Sequence, residues 1–341
     1  MRSRRRRFRI DKRNRRPLIR EYITRAKKSI MEKPLFLTVV ARFALREVAQ
    51  LQFALLLLFA VTPVAHAQPA KPVGAAKVIL ITGSTDGLGR EVALRLAATG
   101  AHIIVHGRNR ERGMAVVDEI TKGGKGSAAF YAADLASLTD VRAFADTILK
   151  HYPHIDVLIN NAGVWLREGS RQTSADGYEM TFAVNYLAGY LLTKQLLPRL
   201  MASAPSRIIN VASQTQSPLD LDDVLQERSY IGQRAYSQSK LAQVMFTIDL
   251  AGELQGRNVA VVALHPASMM DTHLVEAAGL QPRSTVDEGA VALINLVTLP
   301  ALVNGMFYNG LRESRASPQA YDDAARARLR TITDSLIARK R

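Results

Sequence analysis

Val78-Ile79-Leu80-Ile81-Thr82-Gly83-Ser84-Thr85-Asp86-Gly87-Leu88-Gly89 is the stretch from which the rest of the chain is read. Residues 78–82 form a short apolar run, the pattern of a strand buried on both faces of a parallel sheet. The run breaks at Gly83, and residues 90–99 carry helical patterning. Glycines at 83, 87 and 89 allow a tight turn, close approach of backbone to a phosphate, and close packing of helix on strand. A glycine-rich turn alone is often only a turn. Its place between a buried strand and a helix makes it a dinucleotide signal.

The same alternation continues outward. Residues 102–106, 128–134, 157–160, 207–212, 259–264 and 306–308 read as strands, and residues 111–121, 138–151 and 234–254 as helices. Strand and helix in alternation predict an α/β fold: a doubly wound, mostly parallel, seven-stranded Rossmann sheet with helices on both faces. No internal repeat and no second folded domain are legible, so residues 76–341 read as one catalytic-sized domain preceded by residues 1–75.

That leading segment explains the composition. The chain of 341 residues carries a formal +16, yet residues 1–50 hold 17 Lys/Arg against 4 Asp/Glu. The remainder is close to neutral, so the basic balance belongs to a tail and not to a nucleic-acid-binding fold. Residues 51–65 (LQFALLLLFAVTPVA) are the most apolar run, about 22 Å long as a helix and short of a hydrocarbon core of about 30 Å. Arg42 and Arg46 precede it and Ala65-His66-Ala67 follows, the arrangement of a secretory leader cleaved after Ala67. Two other readings stand beside this: an uncleaved membrane anchor, and a true start at Met31 that leaves a cytoplasmic protein. The expectation is membrane association through residues 35–65, with the folded domain on the cytoplasmic side. There are no cysteines, which excludes disulfides and thiolate chemistry. The histidines have no metal-ligand spacing, so no metal is expected.

Two further stretches carry chemistry. In Tyr236-Ser237-Gln238-Ser239-Lys240 a helix would bring phenol and ammonium onto one face, one turn apart. A nearby ammonium favours phenolate and lowers the Tyr pKa from about 10. Such a phenol can protonate a carbonyl oxygen as hydride reaches its carbon. At the end of the second strand stands His106-Gly107-Arg108-Asn109, with no carboxylate for a ribose 2′-OH. An Arg there suits a 2′-phosphate, which favours NADP(H) over NAD(H).

Together these blocks make the chain resemble the short-chain dehydrogenase/reductase superfamily, most nearly its branch of retinol dehydrogenases and related carbonyl reductases. The resemblance runs from about residue 77 to 336. It is carried by the glycine turn, Asp134-Leu135, Asn160-Asn161-Ala162-Gly163, the stretch 176–187 that supplies Asn185, Asn210-Val211-Ala212-Ser213, and Ala235-Tyr236-Ser237-Gln238-Ser239-Lys240-Leu241-Ala242.

The resemblance implies a catalytic tetrad of Asn185, Ser213, Tyr236 and Lys240. Ser213 would hold the substrate oxygen against the Tyr236 hydroxyl. Lys240 would bind the nicotinamide ribose and depress the Tyr236 pKa, and Asn185 would hold a water that relays protons toward Lys240. For cofactor contacts it implies Gly83, Ser84, Thr85, Gly87, Leu88, Gly89, Arg108, Asp134, Leu135, Asn161, Ala162, Gly163, Tyr236, Lys240, Pro266 and Thr272. The family's usual Pro-Gly after the sixth strand is Pro266-Ala267 here. Residues 219–230 read as an insertion at the substrate mouth, and residues 278–285 as substrate loop. Trp165 reads equally as a pocket wall and as packing. The implied activity is NADP(H)-dependent interconversion of a carbonyl and an alcohol on a lipophilic small molecule, with the oligomeric state left open. A non-catalytic NADP-binding regulator on the same fold is the rival.

Overall fold

The computed structural model describes residues 76–339. The basic run, the apolar run 51–65 and the cleavage point after Ala67 lie outside the described residues. Among the described residues no helix is long and apolar enough to cross a membrane.

The chain runs β1 (Val78–Ile81), α1 (Gly87–Ala97), β2 (His102–Gly107), α2 (Arg110–Gly123), β3 (Ser127–Ala132), α3 (Leu138–His151) and β4 (Val157–Asn160). A short turn of helix, Met180–Phe182, passes through a π-helical turn, Ala183–Leu187, into α4 (Ala188–Ala202). Then come β5 (Ser206–Val211), α5 (Gly232–Glu253), β6 (Val259–His265), α6 (His273–Ala277), α7 (Val286–Thr298), β7 (Phe307–Asn309), β8 (Arg312–Ser314) and α8 (Asp323–Ala338). Side-chain caps start several helices. Asn109 accepts from Arg112 N at 2.9 Å, Ser137 from Asp140 N at 3.2 Å and Asp322 from Ala325 N at 3.0 Å. Helix α2 stops at Gly124, whose φ of +69° is the left-handed closing residue.

The sheet order is β3-β2-β1-β4-β5-β6-β7-β8, with every pairing parallel except β7 with β8. The predicted seven strands become eight. The addition is a three-residue edge strand, Arg312-Glu313-Ser314, which lies largely in solvent and carries no apolar pattern to read. Chain order reverses direction between β1 and β4, and the crevice at their carboxyl ends is where this fold class binds ligands.

Both faces of the central strands are covered, so β1 and β4 are wholly buried. One face packs Leu80, Leu158 and Ile208 against α3, α4 and α5. The other packs Ile79, Ile159 and Ile209 against α1 and α7. Helix α5 is buried on nearly all sides and holds Tyr236 and Lys240 in the interior. Helix α8 seals the outer side of α4 and α5. Tyr190 Oη donates to Asp334 Oδ1 at 2.7 Å, and Asp249 on α5 accepts from Arg326 at 2.7 Å and Arg330 at 2.6 Å.

Candidate active site

The β1–α1 turn is built by exclusion of side chains. Gly83 and Gly87 have φ of +64° and +49°. A methyl on Gly89 would lie 2.3 Å from the Gly83 carbonyl oxygen, and one on Gly83 would lie 2.9 Å from Ala162 Cα. The turn is stapled to β4 across the crevice. Thr82 Oγ1 accepts from Asn161 N and Ala162 N at 3.0 Å each, while Asn161 Nδ2 donates to Thr82 O at 2.9 Å and Gly83 O at 3.1 Å. It is also locked to β2: Gly83 N donates to His106 Nδ1 at 3.1 Å, and Ser84 Oγ accepts from His106 N at 3.0 Å. Burial pushes His106 down to about 4, so its ring is neutral and can accept that bond.

A cavity of about 770 Å³ runs from this turn along the carboxyl ends of the strands. Gly83, Thr85, Gly87, Leu88, Gly89, Arg108, Asp134, Leu135, Asn161, Ala162, Gly163, Ser213, Tyr236, Lys240, Pro266 and Thr272 all line it. Residues expected at two chain segments 150 positions apart thus meet on one wall. Thr272 arches over the turn, its Cγ2 only 3.2 Å from where a methyl on Gly87 would sit. Two expected residues do not line the cavity. Ser84 is fully buried and spends its hydroxyl on Ile81 O at 2.8 Å, so it fixes the turn from behind. Asn185 lies one layer back, in the π-helical turn, a feature frequent at functional sites. Its Oδ1 accepts from Val164 N at 2.7 Å, and its Nδ2 donates to Val164 O and Ser239 Oγ, both at 3.0 Å. The Asn185 side chain thereby fixes the loop after β4.

Tyr236 and Lys240 stand one turn apart on α5, both buried, with the Lys240 Nζ 5.6 Å from the phenol ring centre. Nζ donates to Val211 O at 2.8 Å and to Gln243 Oε1 at 3.0 Å. The expected depression of the Tyr236 pKa is reversed. Burial pushes the phenol up to about 12, and the hydrogen bond with Ser213 pulls it only partly back. Burial likewise pushes Lys240 down to about 7. In an apolar interior desolvation disfavours the charged form of each group. Ser213, at the end of β5, is aimed by its own loop: its Oγ accepts from Thr215 N at 3.1 Å and its carbonyl from Gln216 Nε2 at 2.7 Å.

Pro266 and Ala267 both line the cavity, and Ala267 has an ordinary backbone conformation. The left-handed residue of this segment is Met269, with φ of +52°. Its carbonyl accepts from Arg283 N at 2.8 Å, tying residues 266–272 to the strap that follows. Residues 219–230, expected at the substrate mouth, are absent from the cavity lining. Leu219, Val224 and Leu225 are buried in the core instead, and Gln319 clasps both Leu219 N and O.

Sequence reasoning missed several wall residues. Val164 and Leu166 flank Trp165 after the Asn-Asn-Ala-Gly block, Met180 and Val184 precede Asn185, and Leu274 follows Thr272. Adjacency to a motif was the only signal that could have found them. These residues add an apolar side to the wall around Trp165, where Gln172, Ser213, Gln214, Thr215 and His273 are among the polar residues that also line the cavity, as Arg108 and Asp134 do beside the glycine turn. Among the described residues Arg108 makes no ion pair, and no cluster of His, Asp or Glu could hold a metal ion. The cradle free of side chains, the cavity volume and the unpaired cation together fit a dinucleotide, and the glycine turn, Asp134, Asn161, Lys240 and Thr272 line the space it would take.

The comparisons with known proteins agree with this geometry. The short chain dehydrogenase family matches residues 77–282. Human retinol dehydrogenase 14 is 34% identical over 291 residues, covering 76% of this chain and 86% of the relative. Human retinol dehydrogenase 13 is 37% identical over 285 residues, covering 76% and 84%. Among solved structures, a short chain dehydrogenase from Salmonella enterica serovar Typhi superposes with a TM-score of 0.58 at 27% identity, covering 72% of this chain and all of that one. A metagenomic short-chain oxidoreductase in complex with NADP gives 0.53 at 27% identity, covering 67% and 94%. The chain is therefore a member of the short-chain dehydrogenase/reductase superfamily, in its retinol dehydrogenase-like branch.

Proposed function

We propose that the protein is an NADP(H)-dependent oxidoreductase that interconverts a lipophilic carbonyl and its alcohol, with Tyr236 as the general acid and base. The observation that carries this reading is the meeting of Tyr236, Lys240 and Ser213 on one cavity wall whose far end is the glycine turn. When bound, the nicotinamide supplies the hydride. Ser213 and Tyr236 act on the substrate oxygen: Ser213 positions it, and the phenol gives its proton as negative charge develops there. A phenol held up at about 12 keeps its proton across the neutral range, which suits carbonyl reduction. Lys240 binds the cofactor ribose and steadies the phenol, and Asn185 holds the loop that carries Val164 and Trp165.

NADP(H) is supported by three facts. Arg108 lines the cavity without an ionic partner, β2 ends without a carboxylate, and a relative in this fold was solved with NADP. A guanidinium matches a 2′-phosphate by charge-assisted hydrogen bonds. The apolar walls near Trp165 support a lipophilic substrate, as do relatives named retinol dehydrogenases. Membrane association through residues 35–65 would bring such a substrate close. Recovery of a soluble form beginning at Gln68 in an exported fraction would sink that part of the reading.

The decisive experiment is Tyr236→Phe, which keeps the ring and removes the only atom able to protonate the substrate. We expect NADPH oxidation against a carbonyl panel to fall by about 10²–10⁴ while NADPH binding stays intact. Unchanged turnover in this variant would refute the enzyme reading and favour the regulator.

A further inference from the structure

Trp165 is the only tryptophan in the chain, and it packs directly on Tyr236. The two rings lie with centroids 4.4 Å apart and planes 16° from parallel, an aromatic stack in contact distance. Both rings line the cavity, and both are under a tenth exposed. Together with Ala278 they form an apolar cluster of their own, separate from the two main cores, which Leu274 and Leu280 pack against.

The fold takes trouble to put the indole there. The loop after β4 is pinned on one side by Asn185, which brackets Val164 N and O at 2.7 and 3.0 Å. On the other side Tyr230 Oη donates to Leu166 O at 3.2 Å. The Leu166 carbonyl also comes so near the start of α5 that a methyl on Gly232 would lie 2.0 Å from it. Residues 164 and 166 are thus both fastened, and Trp165 between them has little freedom to leave the phenol.

We propose that Trp165 is a positioning residue for Tyr236, its indole holding the phenol ring in the plane from which the hydroxyl meets Ser213 and the substrate oxygen. This rests on the reading of Tyr236 as proton donor. The phenol has few other constraints on its orientation: Ser213 reaches its hydroxyl from the end of β5, and Lys240 stands 5.6 Å from its ring on the same helix. The ring face is held by the indole, which also keeps water from it. That exclusion is part of the burial that raises the phenol to about 12. The ionisable groups that line the cavity with Tyr236 include Lys240 on the same helix, the His265 imidazole, which feels the Lys240 charge, and His273 at the start of α6.

The test uses the full chain with Trp165→Phe, Trp165→Leu and Trp165→Ala, each beside Tyr236→Phe. NADPH affinity is followed by cofactor fluorescence, and carbonyl reduction as a function of pH. Phe retains a ring face; Leu fills much of the space without one. We expect kcat to fall about tenfold in the Leu and Ala variants, equivalent to about 1.4 kcal/mol, with NADPH affinity within about twofold of wild type and kcat restored by Phe. The basic limb of kcat in the Leu and Ala variants should move to lower pH, because a less buried phenol loses its proton sooner. Wild-type kcat and pH limb in Trp165→Leu would overturn the proposal, as would a Phe variant as slow as Leu. Should Trp165→Ala fail to fold, the Leu and Phe pair still decides. If Tyr236→Phe keeps full turnover, the underlying reading of Tyr236 fails instead, and the two failures are told apart on the same preparations.

Discussion

Lys240 is expected to take up a proton when NADPH binds. The residue is 4% exposed, and its Nζ faces two neutral acceptors, Val211 O at 2.8 Å and Gln243 Oε1 at 3.0 Å. Among the described residues no carboxylate pairs with it, so burial governs and holds its pKa down at about 7 against an ordinary 10.5. An anionic cofactor bound beside Lys240 would stabilise the charged form and return the pKa toward the ordinary value. Near pH 8 the free enzyme then carries the proton on about a tenth of its molecules and the complex on nearly all, an uptake of about 0.9 proton. Near pH 6 the free enzyme is already protonated, and uptake falls to about 0.1. The sign follows: binding is strongest below pH 7 and weakens about tenfold per unit as pH rises from 7 toward 10. His265, held near 4 by burial and by the Lys240 charge, stays neutral through this window. Calorimetry in buffers of different ionisation enthalpy measures the uptake directly, and Lys240→Met isolates the group. Uptake near zero in the wild type around pH 8, or equal uptake in Lys240→Met, would refute the reasoning.

Two further outcomes are expected. Arg108→Asp should weaken NADPH and relatively favour NADH, since it replaces the cation proposed to meet the 2′-phosphate with a carboxylate at the end of β2; equal loss for both cofactors in a binding titration would mark Arg108 as a folding residue. Asp249→Ala should cost about 2–3 kcal/mol of stability, because Arg326 and Arg330 on α8 lose their shared partner and Arg326 is largely buried. Thermal unfolding should then come about 5 °C lower. An unchanged midpoint would show that α8 is held by its apolar face alone.

The fold was legible wherever the sheet is buried on both sides. Residues 138–151 and 157–160 have the same bounds in sequence pattern and structure, because α3 presents a clean apolar stripe and β4 is wholly interior. The other central strands shift by a residue or two at their ends. Strand β8 escaped because it lies at an edge, where pairing is to a neighbour's backbone and side chains face water. On sequence alone, residues 219–230 read as an insertion at the substrate mouth. Its Leu219, Val224 and Leu225 join the core because glutamines distant in the chain, Gln238 and Gln319, hold the carbonyls of Pro218 and Leu219.

At the site, residue identity was readable and physical state was not. Spacing brings Tyr236 and Lys240 together on any helix, but whether ammonium or burial sets the phenol depends on what surrounds them. Leu241, Ala242 and Val244 of α5 are themselves enclosed, so the pair is taken out of water before it can interact, and the balance turns toward the neutral forms of both. The same reasoning explains Asn185, whose partners Val164 and Ser239 stand 21 and 54 residues away. A motif names the amide; only the fold shows that it is spent on the loop bearing Trp165. Lys240, held down at about 7 by burial, carries its charge on only part of the molecules at neutral pH, while the Tyr236 phenol, pushed up to about 12, keeps its proton beneath the indole. Under the proposed reading, a phenol that keeps its proton suits carbonyl reduction, and the charge of a bound cofactor would favour the cationic form of Lys240.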